Sequence, residues 1–350
     1  MTERRGGDAN PVGCGGRYAD PAERGGRYGD PAERGIRYAD PAEATERAAR
    51  SAASPDSAVS HEATEVFLAH RSLLFTVAYE ILGSAADAED VVQETWLKWT
   101  AVDRTAVRKE RAYLVQIATR QALDRLRALG RRKETYVGPW LPEPLLTAPD
   151  VAEDVELADS VSLAMLLVLE TLAPVERAVF VLREVFDLGY DEIAGAVGRT
   201  PAATRQLAYR ARSHVAARRP RGAVTAARTR AALHAFQRAV ETGELQDLLD
   251  ILAPDVVALS DGGGVRHALP RPVVGAADVA RLLAQGWWQR EERTLEPVQI
   301  NGGPALLVRI DGQIDGVLAV RVEDGLVTGA YHIRNPDKLS HVTYETALSR

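Results

Sequence analysis

YDEIAGAVGRTPAATRQLAYRARSH, residues 190–214, is the stretch on which the reading of this 350-residue chain turns. Ile193, Ala194 and Val197 recur at helical spacing, Gly198 permits a left-handed turn, and Thr200 and Pro201 offer an N-cap followed by proline at the first helical position. The pattern predicts a helix-turn-helix whose second helix begins at Pro201. On that helix Ala203, Leu207 and Ala211 form the expected buried stripe, which leaves Arg205, Gln206, Tyr209 and Arg210 on the opposite face. From Arg199 to Arg230 there are nine arginines and neither Asp nor Glu. Arginine can donate two parallel hydrogen bonds to guanine and glutamine can pair with adenine, so this face suits base edges in a DNA major groove. Arg212, Arg218 and Arg219, at or beyond the helix end, suit phosphates instead. A helical hairpin with a merely solvated basic face is the competing reading; turn chemistry and charge asymmetry together weigh against it.

The rest of the chain bounds the setting. A net charge of -6 hides this local basic run, because the acids gather elsewhere. The single Cys14 excludes an intramolecular disulfide framework and a cysteine zinc site, which suits a reducing, cytoplasmic location. The longest apolar candidate, 161–182, is broken by Glu170, Pro174, Glu176 and Arg177, so no membrane span is expected. Nothing in the pattern asks for a metal or a cofactor. Residues 14–43 hold three copies of a decamer, such as RGGRYGDPAE, too rich in Gly, Pro and charge to fold; residues 1–60 are therefore expected to be a disordered extension.

Helical spacing resumes at His61. Phe67, Leu68, Leu74, Phe75, Ala78, Ile81 and Leu82 predict one helix, Gly83 its end, and Ser84 to Asp87 the capped start of the next. That second helix turns Val91, Val92, Thr95, Trp96 and Trp99 to a core and keeps Asp87, Asp90, Gln93 and Glu94 on a polar face. A third helix, Tyr113 to Leu129, buries Leu114, Ile117, Ala118, Ala122, Leu123 and Leu126, with arginines on its other side. Tyr113 beside that basic face suits stacking of an unpaired base. The segment TYVGPWLPEPLLTAPD, 135–150, has four prolines and excludes helix. Its Trp140 is expected to anchor in a groove, within this chain or on a partner. Beyond residue 230, two helices, a strand, a helix and four more strands with Gly-containing turns predict an α+β domain with a curved antiparallel sheet.

These parts, in this order, resemble the extracytoplasmic-function (ECF) sigma factors of bacterial RNA polymerase. DAEDVVQETWLKW is similar to the polymerase-binding helix of sigma region two, RAYLVQIATRQALDRLR to its promoter-melting helix, and residues 172–215 to region four. The resemblance implies that Asp87, Asp90, Gln93 and Glu94 meet core RNA polymerase, whose β and β′ subunits would be the partners. It implies that Tyr113, Arg120 and Asp124 contact and open the -10 element, and that Arg205, Gln206, Tyr209 and Arg210 read the -35 element. Arg120 and Asp124 depart from the polar amides frequent at these positions, so the family's -10 preference does not carry over. WLPEP (Trp140, Leu141, Pro142, Glu143, Pro144), DGGG (Asp261, Gly262, Gly263, Gly264) and NPDKL (Asn335, Pro336, Asp337, Lys338, Leu339) resemble motifs of the SigJ-like group, which ends in a SnoaL-like domain of the nuclear transport factor 2-like cone fold. In that group the extension is a fused regulator, and the resemblance implies intramolecular control through these three motifs.

The expected architecture is thus region two at 61–133, a Pro-rich linker at 134–156, region four at 157–220, a linker at 221–232, a cone domain at 233–342 and a tail at 343–350. Two other readings compete. A ligand-responsive helix-turn-helix regulator would not need the acidic helix around Asp87 to Glu94. A cone-fold enzyme would need a catalytic pair, and Asp261, His267, Asp278, Tyr331 and His332 form no recognisable one; Tyr331 and His332, adjacent in a strand, point to opposite faces. Such a cone suits a small apolar ligand better than catalysis, and no membrane partner is expected.

Overall fold

The computed structural model describes residues 55–148, 151, 154–218, 226–284 and 293–350. The decamer repeats and Arg219 lie outside the described residues. Helices α1 (Pro55–Leu82), α2 (Ala85–Thr100) and α3 (Glu110–Glu134) form the first bundle. Gly83, at φ 68°, ends α1, and the Ser84 side chain accepts from Asp87 N to start α2. Trp99 is fully buried and donates to the Ala63 carbonyl at 2.9 Å, while Trp96 is only half-buried, tilted against Phe67. Leu68, counted in the apolar stripe of α1, is instead 61% exposed.

The second helical domain comprises α4 (Val155–Val161), α5 (Leu163–Leu169), α6 (Pro174–Phe180) with a π-helical continuation at Val181–Val185, α7 (Tyr190–Val197) and α8 (Pro201–Ala216). The helix-turn-helix forms as its sequence predicts: Gly198 is left-handed at φ 65°, and Thr200 caps α8 by accepting from Ala203 N. The buried stripe of α8 is rotated from the expected one. Thr204, Ala208, Ala211 and Val215 are buried, whereas Ala203 and Leu207 are half-buried. Burial of Thr204 is tolerated because its hydroxyl donates to the Thr200 carbonyl at 3.0 Å.

The last domain contains α9 (Ala226–Thr242), α10 (Leu245–Ile251), α11 (Ala276–Ala284) and six strands in the order β2-β1-β6-β5-β4-β3. These are β1 (Leu252–Asp261), β2 (Val273–Val274), β3 (Arg293–Ile300), β4 (Gly303–Ile310), β5 (Gln313–Glu323) and β6 (Leu326–Ile333). The sheet is mixed rather than antiparallel, because β1 runs parallel to β6. Side-chain alternation marks strands but not the direction of their partners. Leu306, Val308, Leu318 and Ala330 pack under the domain's helices. The opposite face, with Leu307, Val317, Tyr331 and Ile333, is covered by Leu141 of the linker and Leu163 of α5. Residues 55–350 accordingly form one compact unit. Among the described residues no helix is long and apolar enough to cross a membrane.

Candidate functional site

The three motifs singled out in the sequence converge on one carboxylate. Asp261, at the end of β1, is fully buried and accepts from Tyr136 OH at 2.5 Å, Leu141 N at 2.9 Å, Gly263 N at 3.1 Å and Lys338 Nζ at 2.8 Å. Lys338 also donates to the Leu141 carbonyl at 2.6 Å, and its ammonium stands 3.3 Å from the centre of the Trp140 ring. Burial pushes the Lys338 amine below its usual range, and the facing Asp261 opposes that shift. Asn335 caps the short turn Pro336–Lys338 and donates to Tyr136 OH at 2.8 Å. Tyr136 is held protonated by burial and by its bond to Asp261, which raise its pKa. Gly263 has φ 63°, and a Cβ there would overlap the Asn335 carboxamide. Pro336 and Asp337 are exposed, and Leu339 packs among the residues under Leu141. Tyr136, four residues before Trp140, is a central member that sequence reasoning missed.

The other end of the linker grips the first bundle. Glu143 is buried, accepting from Ser84 Oγ and Ala85 N at 2.8 Å each and from Ala86 N at 3.1 Å, so it caps α2. Tyr79 OH donates to the Glu143 carbonyl at 2.5 Å, and Pro142 lies against Gly83. Pro144 is buried. Asn301, in the turn between β3 and β4, donates to Tyr79 OH at 2.7 Å and to Val161 O at 2.8 Å and accepts from Leu145 N at 3.0 Å. One amide thus joins both helical domains, the linker and the sheet. Its only sequence signal was an Asn-Gly turn. Next to it, Glu80 is buried against Ser160 Oγ (2.8 Å), and Arg177 donates to the Glu80 carbonyl and to Glu170 at 2.9 and 2.8 Å.

On the polar face of α2, Asp90 and Gln93 are exposed and Asp87 and Glu94 half-buried. Arg125 of α3 reaches Asp90 at 2.7 Å and Asp87 and Glu94 at 3.5 Å. The residues expected to form one outward surface on α3 are dispersed instead. Tyr113 is half-buried against Trp99, with ring centres 6.3 Å apart; Asp124 is exposed and paired with Arg127. Arg120 donates to the Gly195 carbonyl of α7 at 2.8 Å, as does Gln116 at 3.0 Å, while Lys109 pairs with Glu192 at 2.9 Å. A cleft of about 580 Å³ lies between these helices, lined by Tyr113, Gln116, Lys109 and Glu192. Arg120 itself stays exposed, and a short-range sequence pattern cannot foresee that a second domain would approach this face.

On α8, Arg205, Gln206, Tyr209, Arg210 and Arg212 are all exposed, as is Arg218 just beyond its end. Arg205 lies over the Tyr190 ring at 5.6 Å, Arg210 pairs with Glu176 at 2.9 Å, and Arg212 approaches Glu184 at 3.5 Å. The residues weighed as catalytic do not assemble. His267 and Asp278 are exposed, and Asp261 is committed to four donors. Tyr331 lies on the linker side of the sheet. His332 is buried on the helix side beside Ser260, with burial and then Arg334 pushing its pKa down to about 3.

Residues 66–132 match the family Sigma-70 region 2, and residues 162–215 match Sigma-70, region 4. The chain is 35% identical over 289 residues to the ECF RNA polymerase sigma factor SigJ of Mycobacterium tuberculosis, spanning 78% of this chain and 92% of that one. It is 33% identical to the probable ECF RNA polymerase sigma factor SigI of the same species, over 79% and 94% of the two chains. The crystal structure of the M. tuberculosis SigJ protein superposes with a TM-score of 0.65 and 34% identity, covering 79% of this chain and 98% of that chain.

Proposed function

Since the chain belongs to the ECF sigma factors of RNA polymerase, we propose that its own C-terminal domain controls it by holding the linker between its two sigma regions. It is a transcription initiation factor that joins RNA polymerase to promoter DNA. The observation that carries the proposal is the buried junction of Asp261, Lys338, Leu141 and Tyr136, in which the regulatory motifs and the linker share one ion pair. With the linker seated there, Gly195 of region four occupies Arg120 and Gln116 of region two. The seated state therefore restrains promoter opening, and release of the linker frees that face.

Within this reading Asp87, Asp90, Gln93 and Glu94 meet the polymerase, with Arg125 as their intramolecular competitor. Tyr113, Arg120 and Asp124 act at the -10 element, and the exposed face of α8 reads the -35 element in a major groove. Arg212, Arg218 and Arg219 hold phosphates. The protein works in the cytoplasm and catalyses no reaction through its C-terminal domain. A small ligand under the helices of that domain, near Ser260 and His332, is the signal best suited to bias the linker.

Permanganate footprinting of promoter opening by the full-length chain with core polymerase tests the control. Lys338→Ala is expected to open the promoter severalfold more than the unaltered chain. Equal opening in the two, with the variant folded and bound to core, would remove the proposed restraint.

A further inference from the structure

The reading helix α8 carries three cations with different supports, and only one is held by its stem. Arg210 donates through Nε to Glu176 Oε1 at 2.9 Å. That bond fixes the plane of the guanidinium while its two terminal nitrogens carry no hydrogen bond among the described residues. Those two nitrogens are the pair that meets guanine N7 and O6. Arg212, by contrast, approaches Glu184 through a terminal nitrogen at 3.5 Å, which occupies one tip of the fork. Arg205 lies over the Tyr190 ring and has no carboxylate partner among the described residues.

The support behind Arg210 is itself fixed. The Glu176 side chain is 22% exposed against 57% for Arg210, so the carboxylate is the anchored partner. The next residue, Arg177, is buried and bonded to the Glu80 carbonyl and to Glu170, which pins the first turn of α6 to region two and to the end of α5. An exposed ion pair of this kind adds little to stability. Its consequence is geometric: an arginine that would otherwise sample many rotamers is held before it meets DNA.

We infer that Glu176 is a positioning residue for base recognition, presenting Arg210 to a guanine of the -35 element without itself touching DNA. This rests on the proposal that α8 reads that element. Glu176 opposes DNA electrostatically, so its loss raises affinity for any duplex while lowering selectivity for the right one. A purely repulsive or purely structural carboxylate could not produce those two changes together.

The test uses full-length chain with core polymerase, on promoters in which each -35 position is replaced in turn by the other bases. Glu176→Gln keeps the shape and removes the charge; Arg210→Ala marks the position that Arg210 reads. Arg210→Ala is expected to lose about tenfold discrimination at one guanine. Glu176→Gln is expected to lose at least threefold at that same guanine and none elsewhere, with equal or higher affinity for unrelated duplex and unchanged core binding. Glu176→Asp, which retains the carboxylate, restores part of the loss. If Glu176→Gln keeps full discrimination while Arg210→Ala loses it, the positioning role is overturned. If Arg210→Ala changes discrimination at no position, the base-reading assignment of Arg210 fails, and the inference with it.

Discussion

Asp261 and Lys338 form a buried ion pair through which the C-terminal domain holds the linker. Neither side chain sees appreciable solvent, and each also satisfies a linker backbone group, Leu141 N or Leu141 O. Removing one partner leaves the other buried and unpaired, a cost of about 3–5 kcal/mol. Lys338→Ala is therefore expected to lower the unfolding free energy of the full chain by about 3 kcal/mol in urea, or to detach the linker first as a separate early transition. Glu80 supplies a pH signature. Burial pushes its carboxyl up to about 8, with the Ser160 bond and Arg177 only partly opposing, against an ordinary value of 4.5. The unfolded chain ionises this group near its ordinary value, so between about pH 4.5 and 8 the folded state holds the extra proton. Stability contributed by this group is thus full at low pH and falls as pH rises through that window, by at most about 1.4 kcal/mol per pH unit. Urea midpoints at pH 5.5 and 8.5 should show that fall in the unaltered chain and a flatter profile in Glu80→Gln.

At the scale of elements, the helices and turns were legible where local chemistry decides them. Ser84, Gly83, Gly198, Thr200 and Pro201 each end or start a helix as their sequence context predicts, because caps and left-handed turns depend on residues within one turn. Legibility stopped where partners are distant. Neither the parallel β1–β6 pairing nor the short strand β2 has a local signature. Burial of Thr204 in α8 depends on a back-bond that hydrophobic counting ignores. The meeting of WLPEP, DGGG and NPDKL was readable from the resemblance as an expectation of contact, but Tyr136 and Asn301 were not, since each acts through bonds spanning more than a hundred residues. The DGGG turn gives its own test. Gly263→Ala places a Cβ at φ 63° against Asn335, so it should loosen the linker seat and cost roughly 1–3 kcal/mol, seen as faster amide exchange at Leu141.

Across the whole molecule, the linker works as a shared strut. Its Trp140 and Leu141 end belongs to the C-terminal domain, its Glu143 end caps the helix expected to meet polymerase, and Asn301 ties both to region four. The linker packs on the far side of the chain's own sheet, through Leu141 against Leu307, Val317 and Tyr331. Gly195 also stands against Arg120, and under the proposed control access to the expected -10 face is coupled to the seating of the linker. Run-off transcription with purified core polymerase, comparing the full chain with its Asp261→Asn and Lys338→Ala variants on one selected promoter, tests that coupling most directly. Transcripts from the same start site, increased severalfold in both variants, are expected. Equal transcript from all three chains, with the variants folded and bound to core, would contradict control by the C-terminal domain.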